Sequence, residues 1–179
     1  MVAKAMSDQI VPTPSTQPAP VVPLADLAPL LAPRGSLIGL DLGTKTIGVA
    51  ACDPDRRLAT VVETVKRTKF TADAQRLLHL AQDRKVVAFV LGLPLNMDGT
   101  EGPRAQASRA FARNFARLTA CPIALWDERL STAAVERALI QADVSRAKRA
   151  AVIDQHAALF ILQGALDFLA QQAARQAEA

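Results

Sequence analysis

The chain has 179 residues, half of them hydrophobic, which is enough for one sizeable core and too little for two enzyme-sized domains. Its two cysteines, Cys52 and Cys121, exclude a disulfide framework and a CxxC metal knuckle, and Cys52 falls in an apolar strand pattern as a small core residue. The formal net charge of +4 admits a polyanionic partner without requiring one. No stretch reaches the roughly eighteen apolar residues that a membrane span needs, so the expectation is a soluble, cytoplasmic protein with no membrane partner.

Seven of the eleven prolines precede Arg34, whereas all eight glycines follow it. Proline removes amide donors and holds the chain extended, so residues 1–34 are expected to be a disordered extension, with Leu24 to Leu31 as the stretch able to rest on a domain. The extension has zero formal net charge, Lys4 and Arg34 against Asp8 and Asp26, and should be dispensable for folding. The domain itself is expected over residues 35–170. Leu37 to Leu42 and Thr46 to Cys52 are β-rich runs joined around Gly43, Thr44 and Lys45, a hairpin pattern, and Leu58 to Val65 adds a third antiparallel strand. Phe70, Ala74, Leu77, Leu78 and Ala81 then recur at helical spacing, and Val86 to Leu91 is a continuous apolar run of the kind buried in mid-sheet. A second helical stripe, Ala107, Phe111, Phe115 and Leu118, leads to a short strand from Pro122 to Trp126. Ser131 or Thr132 is the expected cap of a third helix through Leu139, and a fourth is expected from about Ile153 to Leu169. The remaining residues, 171–179, read as a tail that frays. The fold class is therefore α/β, with five strands and flanking helices.

Several carboxylates interrupt these apolar patterns. Asp41 ends the run Leu37-Ile38-Gly39-Leu40, and it has two readings: an acceptor for the amides of the Gly43 to Thr46 turn, or a metal ligand. Asp127 and Glu128 end the last strand in the same way, either as ordinary acids near a helix N-terminus or as ligands. Asp154 shares a helical face with Ala158, Ile161 and Ala165, so it is either a costly acid on the apolar stripe, compensated by a metal, or a solvated helix cap. If Asp41, Glu128 and Asp154 converge, their hard oxygen donors suit Mg²⁺ or Mn²⁺, and two such ions about 3.5–4 Å apart can activate water and stabilise the leaving oxygen of a phosphodiester. His79 and His156 have no zinc-site spacing between them; His79 is expected at the surface.

The segment from Gly92 to Arg104 leaves the central strand and enters a helix, the position where open α/β sheets bind ligands, although a turn-rich connector has the same composition. Arg109, Arg113 and Arg117 follow at intervals of four, either a solvated face or a grip on backbone phosphates.

Four segments together resemble the YqgF-type family of pre-16S rRNA nucleases, also called Holliday junction resolvase-like proteins: Asp41-Leu42-Gly43-Thr44-Lys45-Thr46-Ile47-Gly48-Val49-Ala50, Gly92-Leu93-Pro94-Leu95-Asn96-Met97-Asp98-Gly99-Thr100, Asp127-Glu128-Arg129-Leu130-Ser131-Thr132 and Asp154-Gln155-His156-Ala157-Ala158. The resemblance implies a ribonuclease-H-like fold with a five-stranded mixed sheet, divalent-metal-dependent phosphodiester hydrolysis, and trimming of the 5′ end of the 16S rRNA precursor. It implies Asp41, Glu128 and Asp154 as catalytic metal ligands, Lys45, Asn96 and Arg129 as residues facing the substrate, and Asp127 as a support. Arg104 joins the substrate-facing set on its place in the loop. The implied partners are precursor rRNA, branched DNA in the junction-cleaving alternative, and a ribosomal particle, with the protein a monomer or weak homodimer. Two other functions compete: an actin-like ATPase, which the length argues against, and a nucleic-acid-binding protein without catalysis.

Overall fold

A computed structural model describes residues 17–179, so the earlier part of the expected extension lies outside the described residues. The first strand comes where none was expected. β1 (Val21–Pro23) lies at one edge of the sheet and pairs in parallel with β6 (Ile123–Asp127), Val21 opposite Ile123 and Pro23 opposite Leu125. An edge strand needs hydrogen bonds on one side alone, which is why a proline-flanked segment can fill the place. Leu24 and Leu27, in the short 3-10 turns that follow, are buried among Trp126 and the last helix. The sheet therefore has six strands rather than the five expected, and the packed domain begins before residue 34.

The next five strands follow the β-rich and apolar runs of the sequence closely. β2 (Ser36–Leu42) and β3 (Thr46–Cys52) form the hairpin, and β4 (Ala59–Lys66) completes the antiparallel trio. β5 (Val86–Leu93) runs parallel to β2 and to β6, which gives the order β1-β6-β5-β2-β3-β4. On one face, Ile38, Leu40, Val49, Phe89 and Leu91 pack against α1 (Phe70–Asp83) and α2 (Pro103–Phe115). Helix α2 buries Ala105, Ser108, Phe111, Ala112 and Phe115, and Ala107 of the expected stripe is exposed.

The other face is covered by α5 (Ala157–Ala177), whose buried stripe is Ala158, Ile161, Leu162, Ala165 and Leu166. Its 21 residues are long and apolar enough to cross a membrane by length and composition, but that stripe belongs to the sheet. Two sequence expectations fail here. The helix continues through the expected tail to Ala177, and Gln172 Nε2 donates a 3.0 Å hydrogen bond to the Ala25 carbonyl, so the tail is tied to the N-terminal turns. The single helix expected from Ile153 is two: α4 (Arg146–Gln155) stops at His156, where φ −119° and ψ 20° leave the helical region, and α5 starts after it. Asp154 is thereby separated from the stripe that the 3.6-residue period assigned to it.

Leu27 is fully buried, so Leu27→Ala is expected to cost about 2–4 kcal/mol in a urea unfolding titration. Removal of residues 1–34 should likewise lower the unfolding midpoint; an unchanged midpoint in both would mean that Leu24 to Leu31 contributes nothing to the core.

Candidate active site

The carboxyl ends of β2, β5 and β6 meet at one edge of the sheet, and the register sets which residues arrive together. Leu40 pairs with Leu91, so Asp41 stands level with Gly92 on the neighbouring strand; Gly92 pairs in turn with Trp126. Glu128 is the first residue of α3 (Glu128–Gln141), three residues earlier than the expected cap, because Asp127 takes the N-cap position. Its carboxylate folds back over Gly92: a Cβ on that glycine would run into Glu128 Oε1 and lie 2.6 Å from Ile161 Cδ1. Gly48, opposite Asp41 in the hairpin, is less crowded: a Cβ there would lie 3.3 Å from Ala158 Cβ and in ordinary contact, 3.5 Å, with Asp41 Cβ. Gly92 thus makes the space in which Glu128 stands near Asp41.

Both acids are half-buried. Among the described residues, neither carboxylate accepts a hydrogen bond, which sets aside the turn-amide reading of Asp41. Burial raises the Asp41 pKa, the Arg104 guanidinium opposes the rise, and the charge of Asp154 adds to it. For Glu128, burial and then the Asp41 charge push the pKa up to about 7, against the pull of Arg104. The first turn of a helix ordinarily favours an anion, so these effects outweigh the dipole of α3. Arg104, the second residue of α2, is exposed and is the cation whose charge reaches both acids.

Asp154 is exposed near the end of α4. It lines, together with Asp41, Thr46, Thr64 and His156, a cavity of about 230 Å³ between β3, β4 and the α4–α5 break. The structure thus brings Asp41 and Glu128 together and sets Asp154 beside Asp41. Among the described residues, no three of His, Cys, Asp and Glu are drawn tightly enough to form a metal-holding group. The donor chemistry of Asp41 and Glu128 nonetheless fits a hard divalent cation: oxygen donors, unused by protein hydrogen bonds, whose mutual repulsion a cation would relieve.

The remaining expected residues divide by what already holds them. Arg129 is clamped by Asp127, its Nη2 donating to Oδ2 at 2.6 Å and its Nε to Oδ1 at 3.0 Å, while Nη1 reaches the Met97 carbonyl at 3.3 Å. Asn96 donates from Nδ2 to Thr100 Oγ1 at 2.9 Å, inside the same loop. These two residues shape the 94–102 loop, and Asn96 is at the same time exposed. Arg109 gives its Nε to Glu101 at 2.7 Å, and Arg117 lies beyond the end of α2, so the array of arginines at intervals of four is not one free face. Lys45 is exposed in the hairpin turn. His156 sits at the helix break with Nδ1 3.1 Å from the Val152 carbonyl, and His79 is a surface residue near Asp83. Sequence reading missed the role of Gly92, whose signal was a glycine inside an otherwise bulky apolar strand.

A mixed sheet of three antiparallel strands followed by parallel ones, flanked by helices on both faces and carrying acids at its carboxyl edge, defines a ribonuclease-H-like α/β protein. Residues 35–168 match the profile of the family described as RuvX: Holliday junction resolvase, and the chain belongs to that family. It is 72% identical over 152 residues, 85% of this chain and 95% of the other, to a Rhodopseudomonas palustris (strain BisB5) protein named "Putative pre-16S rRNA nuclease". A protein of the same name from Bradyrhizobium sp. (strain BTAi1) is 71% identical over 153 residues, 86% of this chain and 95% of the other. Among solved structures, T. thermophilus RuvC in complex with Holliday junction substrate aligns with a TM-score of 0.50 at 12% identity, over 81% of this chain and 98% of that one, a likeness of fold.

The raised pKa of Glu128 has a sign that can be tested. The folded state holds the Glu128 proton more tightly than the unfolded state does, so that contribution to stability is full below pH 4.5 and is lost as the pH rises through about 7. Glu128→Gln is therefore expected to raise the unfolding temperature of the metal-free protein at pH 8 by several degrees, for a gain of about 1–2 kcal/mol after allowance for partial exposure, and to change it little at pH 4.5. Calorimetry at the two pH values checks this; equal shifts at both would show that Glu128 is not an ionised, destabilising group.

Proposed function

We propose that the protein is a nuclease, a hydrolase of phosphodiester bonds that depends on Mg²⁺ or Mn²⁺ and processes the 5′ end of the 16S rRNA precursor. The observation that carries the reading is the pair Asp41 and Glu128, two half-buried acids flanking Gly92 at the sheet edge under the charge of Arg104. Structural acids in such a place would accept amide hydrogen bonds, and among the described residues these accept none. The names of the relatives favour RNA as the substrate. The reading brings with it a cytoplasmic setting, association with a ribosomal particle, and a monomer or weak homodimer.

Asp41 and Glu128 would hold the divalent ion, with Asp154 as the candidate third carboxylate from the other wall of the cavity. Bound there, the ion supplies Lewis acidity to a phosphoryl oxygen and lowers the pKa of water. The protein's own residues do the rest. Arg104 attracts the scissile phosphate to the acids and shields their repulsion. The Asp127–Arg129 clamp holds the 94–102 loop against the start of α3, so the approach to Glu128 keeps its shape. Burial of Glu128 means that it enters the reaction ionised once a cation, rather than a proton, balances it.

Asp41→Asn keeps size and one oxygen while removing the charge, so it should lower cleavage by more than about a hundredfold and leave RNA binding largely in place. The test compares wild type and Asp41→Asn on precursor rRNA ends, four-way DNA junctions and ATP under matched Mg²⁺. Preference for symmetric nicking of junctions would move the substrate to branched DNA, in keeping with the family's description. Binding without cleavage by the wild type, with metal occupancy confirmed, would leave a nucleic-acid-binding protein and refute the nuclease.

A further inference from the structure

The corner where β4 passes into α1 carries cations that the candidate active site does not use. Thr46 of β3 pairs with Lys66, the last residue of β4, and Lys45 precedes that pair, so Lys45 and Lys66 are neighbours at the edge of the sheet that carries Asp41. Strand alternation puts Lys66 on the face of Thr64, a wall of the cavity that Asp41 and Asp154 share. Lys69, the N-cap residue of α1, comes three positions later.

All three lysines are exposed, and among the described residues none has an ion-pair partner. Glu63 of β4 and Asp73 of α1 are already engaged. Glu63 takes both Arg76 nitrogens at 2.7 Å, and the buried Asp73 accepts from the Thr68 amide at 3.0 Å. The backbone beneath the lysines is fixed as well: the Arg67 amide donates to the Lys45 carbonyl at 2.9 Å, Arg67 Nη1 donates to the Gly43 carbonyl at 2.7 Å, and the Asp73 amide donates to the Lys69 carbonyl at 3.0 Å. Point charges on a fixed corner suit a ligand of regularly spaced anions read without base specificity.

We propose that Lys66 and Lys69 extend Lys45 into a phosphate track, along which the backbone of the nucleic-acid substrate runs on the β3–β4 side of Asp41, opposite Arg104 on the α2 side. The identity of the ligand rests on the nuclease reading; the placement of the track rests on the register and on the unpaired lysines. Arg129 and Arg109, by contrast, are committed to Asp127 and Glu101 and contribute less to such a grip.

The experiment measures the salt dependence of binding of the Asp41→Asn protein to a synthetic RNA hairpin with a single-stranded 5′ extension. Lys66→Gln with Lys69→Gln, in that background, is expected to lower the log–log salt slope by about 1.5, the share of two phosphate contacts. The comparison pair, Arg57→Gln with Arg84→Gln, removes the same charge at the opposite end of the sheet, where β4 and β5 begin, and should change the slope by less than about half a unit. Equal changes in the two pairs would reduce the effect to net charge and overturn the track, as would no change in the lysine pair at a wild-type unfolding temperature. Cleavage of the same RNA by the wild type is read separately: cleavage without a slope contrast refutes the track, and a slope contrast without cleavage supports the track while refuting the nuclease.

Discussion

The arrangement of the carboxyl edge depends on how closely α5 lies on the sheet. A Cβ on Gly39 would stand 2.6 Å from Leu162 Cβ and 3.0 Å from the Ala158 carbonyl, and one on Gly164 would stand 3.0 Å from the Trp126 ring. Small residues on both surfaces, Gly39, Ala50 and Ala88 on the strands and Ala158, Gly164 and Ala165 on the helix, let the backbone of α5 approach until its stripe closes the core. Ile161 then reaches Gly92, and the Glu128 side chain is confined beside it. Close packing, not any local preference for acid, determines where Glu128 can go.

The electrostatic state of the site follows from that confinement. Two acids near each other and out of full contact with water would lower their energy by taking amide donors, as Asp127, Asp53 and Asp73 do elsewhere in the chain. Asp53 accepts from the amides of Asp55, Arg57 and Leu58, and its pKa is held below the ordinary value, chiefly by the Leu58 amide. Asp41 and Glu128 go the other way, both raised, first by burial and then by the charge of a neighbouring acid, Asp154 for Asp41 and Asp41 for Glu128. The protein tolerates an unfavourable pair at this one edge, which is how binding sites for cations commonly arise.

The cations sort themselves by the same principle of prior commitment. Arginine, with its planar fork, goes to the fixed structural pairs: Arg129 to Asp127 and the loop carbonyls, Arg109 to Glu101, Arg76 to Glu63. Among the described residues, the lysines at the β3–β4 corner have no ion-pair partner, and Arg104 acts on the acids through charge without a hydrogen bond. Loop shape and unpaired positive charge thus fall to different residues, although the sequence presents them as one basic set.

Much of the fold was legible before the structure, and the site less so. The β-branched and apolar runs located β3 without error and β2, β4, β5 and β6 to within about two residues, because the composition of such a run is a local property of the chain. The acids were legible for a related reason: Asp41 and Glu128 end apolar patterns, and a charge in such a place stands out in sequence. Three things were decided by tertiary structure alone. Strand β1 and the burial of Leu27 depend on an edge of β6 and a surface of α5 that lie about a hundred residues or more away, and proline content reports nothing about either. The break at His156 separates Asp154 from its apolar stripe, although the helical period runs through it without interruption, because a backbone turn at one residue leaves the pattern of side chains unchanged. The division of the basic residues into clamped and free was equally hidden, since a guanidinium is committed by whichever carboxylate or carbonyl the fold brings within about 3 Å, and that distance is a property of packing rather than of spacing along the chain.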